Sequence, residues 1–491
     1  MNTEVERWEL APNLHISRVL TGLWQIADME RSGGTLDAEA TAREMEPYLK
    51  AGFTTFDMAD HYGSAEEIAA VCLRLHGRDS VQLLTKWVPK PGATARDDVR
   101  TAVQRSLDRM QSDSLDLLQF HAWNYADPSY LDSLFHLQEL KDEGLIRHLG
   151  LTNVDTAHLR VIVSSGIEVA SNQVCFSLLD QRARHGMTDF CRAHGITLLA
   201  FGTLAGGFLT ERWLGKPEPD WDSLETWSQM KYGRFIGVAG GWDALQRVLQ
   251  TVERTAKKHS VSMANVACRY VLDQPAVGGV IIGARLGVSE HIEDNLRLFS
   301  LALDDTDRAE IEDALTALAP IAGDCGDEYR RPPYLTASGD LSQHIDTLPP
   351  PYPASTGADG RTRVSSGTVW EDLAGYSRAV RHGNRIHVSG TTATHGDRTI
   401  GGSDPAAQTH FVIDKIEGAL QSLGARLEDV VRTRVYVNRI EDWEPVARVH
   451  GERFRDIRPA NTLVQAGLIG DEYLVEMEAE AVVEGSVDNL P

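Results

Sequence analysis

From the N-terminus to about residue 320, short runs of apolar and β-branched residues alternate with segments whose apolar positions recur at helical spacing. Eight strand-like runs can be read: ISRVLTGLW (16–24), FTTFDMA (53–59), VQLLTKW (81–87), LDLLQFH (115–121), IRHLGLT (146–152), EVASNQV (168–174), ITLLAFG (196–202) and GGVIIG (278–283). Helical patterns such as AEATAREMEPYLKAG, DVRTAVQRSLDRM, YLDSLFHLQELKDEG and DTAHLRVIVSSG lie between them. Parallel strands need a crossover, and here each is followed by a helix. Eight such units predict an α/β fold, a closed TIM (β/α)8 barrel with its chemistry in the loops at the C-terminal ends of the strands.

The chain has 491 residues, and a barrel domain of about 250 to 350 leaves well over a hundred for a second core. Periodicity stops between Asp324 and Thr362, where PPPYPASTGADGRT has the Pro, Gly and Ser content of a linker. The expected division is a barrel at 1–345, a linker at 346–361 and a second domain at 362–491. That domain has strand-like stretches at SRAVRHG, NRIHVSG, VVRTRVYVN, NTLVQAG and YLVEMEAEAVV, interrupted by two helices, AAQTHFVIDKIEGALQSLGA and DWEPVARVHGERF. It reads as a smaller α+β domain with helices on one sheet face. Within the barrel, the connection from Thr203 to about Trp242 is longer than the others, as a lid or cofactor clamp would be.

Composition narrows the partners. The 48 Lys and Arg against 71 Asp and Glu give a net charge of −23, which repels phosphate backbones and anionic lipid, so no nucleic acid is expected. The cysteines Cys72, Cys175, Cys191, Cys268 and Cys325 are scattered without a CxxC pair, so neither a disulfide framework nor a thiolate metal site is expected, and a cytoplasmic location fits. MNTEVERWELAPNLH lacks a basic segment followed by an apolar core, and no apolar run approaches ~18 residues, so no membrane association is expected.

Four residues at or just beyond the second, third and fourth strands carry the chemistry: Asp57, Tyr62, Lys86 and His121. A phenol titrates near pH ~10 and is a poor general acid at neutral pH unless a cation stabilises its phenolate. Lys86 is such a cation, and Asp57 can keep it charged in an apolar setting. His121 can hydrogen-bond a substrate carbonyl beside the tyrosine. Together they read as a carbonyl-reducing site.

The barrel, the order of these four residues and the loops after later strands resemble the aldo-keto reductase superfamily over about residues 8–345. The resemblance implies hydride transfer from a nicotinamide, usually that of NADPH, to an aldehyde or ketone without a metal. It makes Tyr62 the general acid, Lys86 its partner, Asp57 the carboxylate on that lysine and His121 the substrate-orienting imidazole. Thr152, Asn153 and Gln173 would hold the nicotinamide carboxamide, and Phe201 would stack on its ring. Leu204, Ala205 and Gly206 resemble the loop over the pyrophosphate. Gly283, Arg285 and Asn295 in IIGARLGVSEHIEDNL match the phosphate and adenine site, with Arg285 placed for the 2′-phosphate of NADP. That segment is two residues longer than the commoner pattern, and His291 stands where Gln or Arg is frequent. Trp24, Trp87 and Trp123 follow or end the first, third and fourth strands and are read as the rim of an apolar or aromatic substrate pocket, with packing under a loop as the other reading of each.

Residues 362 to about 486 resemble the Rid family of reactive-intermediate deaminases, also called YjgF proteins, a chorismate-mutase-like fold. The resemblance rests on YSRAV with Tyr376, GNRIHVSG, the element order, and PANT followed by VEMEAEA with Glu476. Family members form trimers with clefts between subunits and hydrolyse imines and enamines. Their cleft arginine after Pro-Ala is Asn461 here, and the Gln that often follows SG is Thr391. The cleft residues carried over are Tyr376, Asn461 and Glu476, and the domain reads either as a retuned imine-handling site or as a trimerisation and docking module.

The function expected is NADPH-dependent reduction of a small-molecule carbonyl by a homo-oligomer, trimer or hexamer, assembled through the Rid-like domain. Two alternatives stay open: a bifunctional imine-processing enzyme, and a non-catalytic NADPH-binding scaffold.

Overall fold

The expected strands form and close on one another in the computed structural model, which describes residues 4–30, 32–336 and 347–483. The barrel strands are β1 (Val19–Gly22), β2 (Thr55–Asp57), β3 (Gln82–Trp87), β4 (Leu115–Phe120), β5 (Ile146–Thr152), β6 (Ser171–Cys175), β7 (Thr197–Phe201) and β8 (Val277–Gly283). Each pairs in parallel with the next, and β8 pairs with β1 to close the cylinder. Register brings functional positions into one layer: Lys86 lies opposite Gln119, Gln119 opposite Gly150, and Thr152 opposite Gln173. Gly150 makes that layer possible, since a Cβ there would lie 2.7 Å from Ser171 Oγ and 3.1 Å from the Gln119 side chain.

The run read as one strand over 16–24 is split. Its start belongs to an N-terminal hairpin, Arg7–Ala11 with Leu14–Ser17, and only Val19–Gly22 enters the barrel. The hairpin plugs the bottom, where Leu10, Leu14 and Ile16 pack on Leu20, Leu84, Leu117 and Leu199. Burying those side chains supplies a hydrophobic floor of the usual order of ~25 cal/mol per Å² of apolar area.

Four further helices shape the barrel's upper face or its flank: α1 (Thr156–Ser164), α2 (Trp227–Val238), α3 (Ile292–Arg297) and α4 (Asp327–Arg330). Asp155 caps α1 by accepting from the His158 amide, and Thr226 caps α2 by accepting from Gln229. The long connection from Thr203 to Trp242 is therefore not a loop throughout, because α2 occupies its second half.

The C-terminal domain contains α5 (Val369–Ala374), α6 (Pro405–Gln421) and α7 (Trp443–Phe454) with strands β9 (Ala354–Thr356), β10 (Thr362–Val364), β11 (Ala379–His382), β12 (Arg385–Thr392), β13 (Val430–Val437), β14 (Ala460–Gln465) and β15 (Val475–Val482). The sheet order is β9-β10-β11-β12-β15-β13-β14, with only β13 and β14 parallel. Strand β15 alternates strictly: Val475, Met477, Ala479 and Ala481 are buried while the glutamates between them face outward. Helix α6 covers the inner face and packs its other side on α1 of the barrel, so it is buried nearly all round.

Two expectations are corrected. The linker stretch carries β9, which forms a tight hairpin with β10 around Asp359 and Gly360, so its turn-rich composition reflects a hairpin rather than a tether. A third helix, α5, joins the two expected ones. The boundary placed at 345/346 lies outside the described residues. Among the described residues no helix is long and apolar enough to cross a membrane.

Candidate active site

Asp57 ends β2, Lys86 lies near the end of β3, and His121 directly follows β4, so strand ends alone bring three of the four expected residues to one mouth. Lys86 Nζ donates to Asp57 Oδ2 at 2.6 Å and to the Met58 carbonyl at 2.8 Å. Burial pulls the Lys86 ammonium below its usual range, and Asp57 opposes that pull. The other Asp57 oxygen accepts from Gln173 Nε2 at 2.7 Å and Gln119 Nε2 at 3.2 Å. Tyr62 sits in the turn after β2, with Lys86 Nζ 5.0 Å from its ring centroid. Trp24 and His61 hold that ring edge-on at 5.0 and 4.9 Å.

His121 is buried, edge-on to Trp123 at 4.4 Å and to Tyr329 at 5.5 Å. Burial, reinforced by the Arg330 cation, holds its imidazole well below the usual range, so it is neutral at pH 7. Its Nε2 has no hydrogen-bond partner among the described residues.

These four line a cavity of about 530 Å³ with Trp24, Trp123, Thr152, Asn153, Gln173, Phe201, Leu204, Gly206, Gly283 and Arg285. Thr152 Oγ1 donates to the Gln173 carbonyl at 3.2 Å, and Asn153 takes a left-handed φ of 58°. The Gln173 amide nitrogen is committed to Asp57 and to Gln119 Oε1, which leaves its carbonyl oxygen for a ligand. Three features suit a bound dinucleotide. Asn153 Oδ1 and Arg285 Nε are buried without partners among the described residues. Gly206, at φ 64°, admits no side chain, because a Cβ would lie 2.8 Å from the Ser228 carbonyl on α2. Phe201 presents a half-buried ring at the end of β7.

Two expected residues stand elsewhere. Trp87 packs on Phe120 at 5.6 Å in the core and does not line the cavity. Neighbours on a strand point to opposite faces, so with Lys86 directed into the barrel, Trp87 turns outward to the helix layer. Asn295 is buried in α3, its backbone N–H donating to the His291 carbonyl, and is also absent from the lining.

Other lining residues escaped sequence reading. Helix α2 contributes Trp227 and Lys231, and α4 contributes Tyr329. Lys231 Nζ donates to Tyr329 OH at 2.6 Å and lies 5.1 Å from the Phe201 centroid. Arg330 donates to the carbonyls of Ala122 at 2.9 Å and Asn153 at 2.6 Å. The only signals were the length of one connection and the loss of periodicity after Asp324. Among the described residues, no group of three or more His, Cys, Asp or Glu side chains is placed to hold a metal ion.

The three residues expected in the second cleft do not converge within one chain. Tyr376 OH accepts from Arg378 at 3.0 Å, and Arg378 also donates to the carbonyl of Gly390, whose missing side chain leaves the space that the Glu476 carboxylate fills. Burial raises the Glu476 carboxyl, and Glu478 adds to the effect. Asn461 pairs with Thr433 and donates to its hydroxyl at 2.9 Å, on the helix side of the sheet. Glu476 pairs with Tyr436, three residues along β13, and therefore faces the other side.

Residues 18–316 match the Aldo/keto reductase family model, and residues 370–483 match the Endoribonuclease L-PSP model. An uncharacterized protein of Streptomyces coelicolor is 41% identical over 128 residues, 26% of this chain and 95% of its own length. The NADH-specific methylglyoxal reductase of Escherichia coli is 24% identical over 329 residues, covering 62% of this chain and 97% of that protein. The solved structure of the glycerol dehydrogenase of Gluconobacter oxydans, 22% identical, covers 66% of this chain and 98% of its own with a TM-score of 0.54, a likeness of fold.

Proposed function

The chain belongs to the aldo/keto reductase family, fused to a Rid/L-PSP domain, and from that premise we propose that it reduces an aldehyde or ketone with NADPH. The observation that carries this reading is the joined set of Asp57, Lys86, Tyr62 and His121, opening into a cavity that ends on Phe201 and Asn153. Bound nicotinamide would supply the hydride. Phe201 offers a flat apolar face to its ring, Asn153 Oδ1 and Thr152 offer polar atoms to its carboxamide, and Arg285 offers a fork to the 2′-phosphate. His121, kept neutral, donates one N–H to the substrate oxygen, and Tyr62 delivers the proton as charge develops there. The Lys86 ammonium then stabilises the phenolate left behind, while Asp57 holds the lysine charged. Trp24, Trp123 and Trp227 favour an apolar or aromatic substrate, and Lys231 adds a cation to that pocket.

The C-terminal domain is read as a docking and assembly module, supported by Asn461 in place of an arginine and by its placement on the sheet face opposite Glu476. An exposed sheet edge at β14, with Val464 44% exposed, supports a homo-oligomer formed through this domain.

The test is oxidation of NADPH and, separately, NADH by the full-length protein over a panel of aldehydes, ketones and cyclic imines. Carbonyl-dependent oxidation, faster with NADPH, is expected. Failure of every carbonyl in the panel to drive oxidation, despite cofactor binding, sinks the proposal in favour of a scaffold.

A further inference from the structure

The barrel and the C-terminal domain meet along α1 and α6, and the centre of that contact is ionic and buried. His158 on α1 is 2% exposed, yet both its ring nitrogens face carboxylates. Nδ1 lies 2.7 and 2.8 Å from the two oxygens of Asp155, and Nε2 lies 3.0 Å from Asp414 Oδ2 on α6. Carboxylates only accept, so both nitrogens must carry protons and the ring is an imidazolium. Burial alone would pull this histidine down, but Asp155 and Asp414 outweigh it and leave it raised to about 9. Asp414 in turn accepts from Arg453 on α7 at 2.6 Å, and Arg453 reaches Glu417 at 2.7 Å.

From His158 the contact runs into the site. Tyr125 stacks on the imidazolium with centroids 3.5 Å apart and planes 8° from parallel. The Arg330 guanidinium lies 4.3 Å from the same tyrosine ring. Arg330 ends on two backbone carbonyls, those of Ala122, beside His121, and of Asn153. Asp155, which caps α1, is two residues beyond Asn153, and its amide donates to Tyr125 OH at 3.4 Å. The other titratable groups around this column are His410, Tyr130, Asp324 and Asp327. His410 is kept neutral, its value lowered by burial to about 3, and Tyr130 is pushed up by burial. Asp324 and Asp327, behind Asp155, are both raised by burial, Asp324 to about 6.

We propose that the C-terminal domain completes the barrel's site: Asp414, acting through His158, Tyr125 and Arg330, fixes the His121–Asn124 and Thr152–Asp155 loops. His158 and Asp414 are then positioning residues for carbonyl reduction. The column joins one carboxylate of the second domain to the two loops that carry His121 and Asn153, so undocking that carboxylate loosens both loops together. The inference rests on the nicotinamide-dependent reading of the barrel for its kinetic consequence, whereas the positional claim has a readout that needs no cofactor.

The test compares full-length wild type, Asp414→Asn, and the control Asp404→Asn. Asp404 lies at the rim of the same interface, where it accepts from Arg160 at 2.9 Å and caps α6, a role asparagine keeps. Amide hydrogen exchange without cofactor should rise about tenfold or more in residues 121–124 and 152–155 for Asp414→Asn, and stay at wild-type rates there for Asp404→Asn. The NADPH Kd should rise on the alkaline side as His158 loses its proton, and Asp414→Asn should move that inflection toward neutral by about one pH unit or more. Interface glue alone would raise exchange only in α1 and α6, leaving loops, Kd and inflection unchanged, and that result overturns the proposal. If Asp414→Asn fails to fold, Tyr125→Leu removes the stacked plane between the two cations, and unchanged exchange in both loops then refutes it. If wild type binds no NADPH, the functional reading fails, and the exchange measurement still decides the positional claim.

Discussion

Lys86 and Trp87 are adjacent, and one reaches the site while the other leaves it, because strand neighbours point to opposite faces. Asp57, Tyr62, Lys86 and His121 were legible in the sequence since each lies at or near a strand end or the turn after it, where a barrel gathers its side chains. Lys231 and Tyr329 were not, because they sit on helices within stretches whose length, and not whose pattern, was the only signal. Lys86→Met should lower kcat by about 10²- to 10⁴-fold, the usual range for losing general-acid assistance, with NADPH binding retained, as fluorescence titration would show. His121 is held well below its usual range, so kcat/KM should show no acidic limb between about pH 6 and 7, where an ordinary histidine titrates. A limb there that His121→Gln abolishes would contradict a neutral imidazole.

Element boundaries followed local chemistry that periodicity alone does not encode. The helical pattern over 38–52 breaks into Ala38–Arg43 and Glu46–Lys50, with Pro47 in the first turn of the second piece. Helix α6 reads from sequence as a helix on one sheet face, yet it is covered on both sides, by its own sheet and by α1. Gly418 lies where α6 crosses the loop after β4, and a Cβ there would collide with the Ala126 carbonyl oxygen. Alanine in a mid-helix position normally stabilises by about 1 kcal/mol over glycine. Gly418→Ala should instead lower the Tm and increase proteolytic cleavage between the domains; a raised Tm would show that the contact yields easily. The interface should also weaken with alkali. His158 is raised to about 9 against ~6.5 when unfolded, so its contribution is complete below about pH 6.5 and is lost as pH rises through about 9. Thermal unfolding from pH 6 to 10 should show that decline, and His158→Gln should flatten it.

At the scale of the whole molecule, the two-domain division was readable from length and from the change in pattern after residue 324, while the docking of one domain on the other was not. His158 and Asp414 are 256 residues apart in sequence, and nothing in either local pattern links them. The reading of the second domain as a docking module predicts that full-length protein carrying Tyr62→Phe, which silences the barrel, does not accelerate 2-imino acid hydrolysis, followed by ammonia release. Acceleration lost on Glu476→Gln would restore the imine-handling alternative. The central claim is that Tyr62 delivers a proton to a carbonyl while bound nicotinamide supplies hydride. Its most direct test follows NADPH consumption and alcohol formation in a single turnover by wild type and Tyr62→Phe, alongside each protein's NADPH Kd. The account predicts equimolar product in wild type and a rate about 10²- to 10⁴-fold lower in the variant, with Kd nearly unchanged. An undiminished rate, or loss of NADPH binding in Tyr62→Phe, would contradict it.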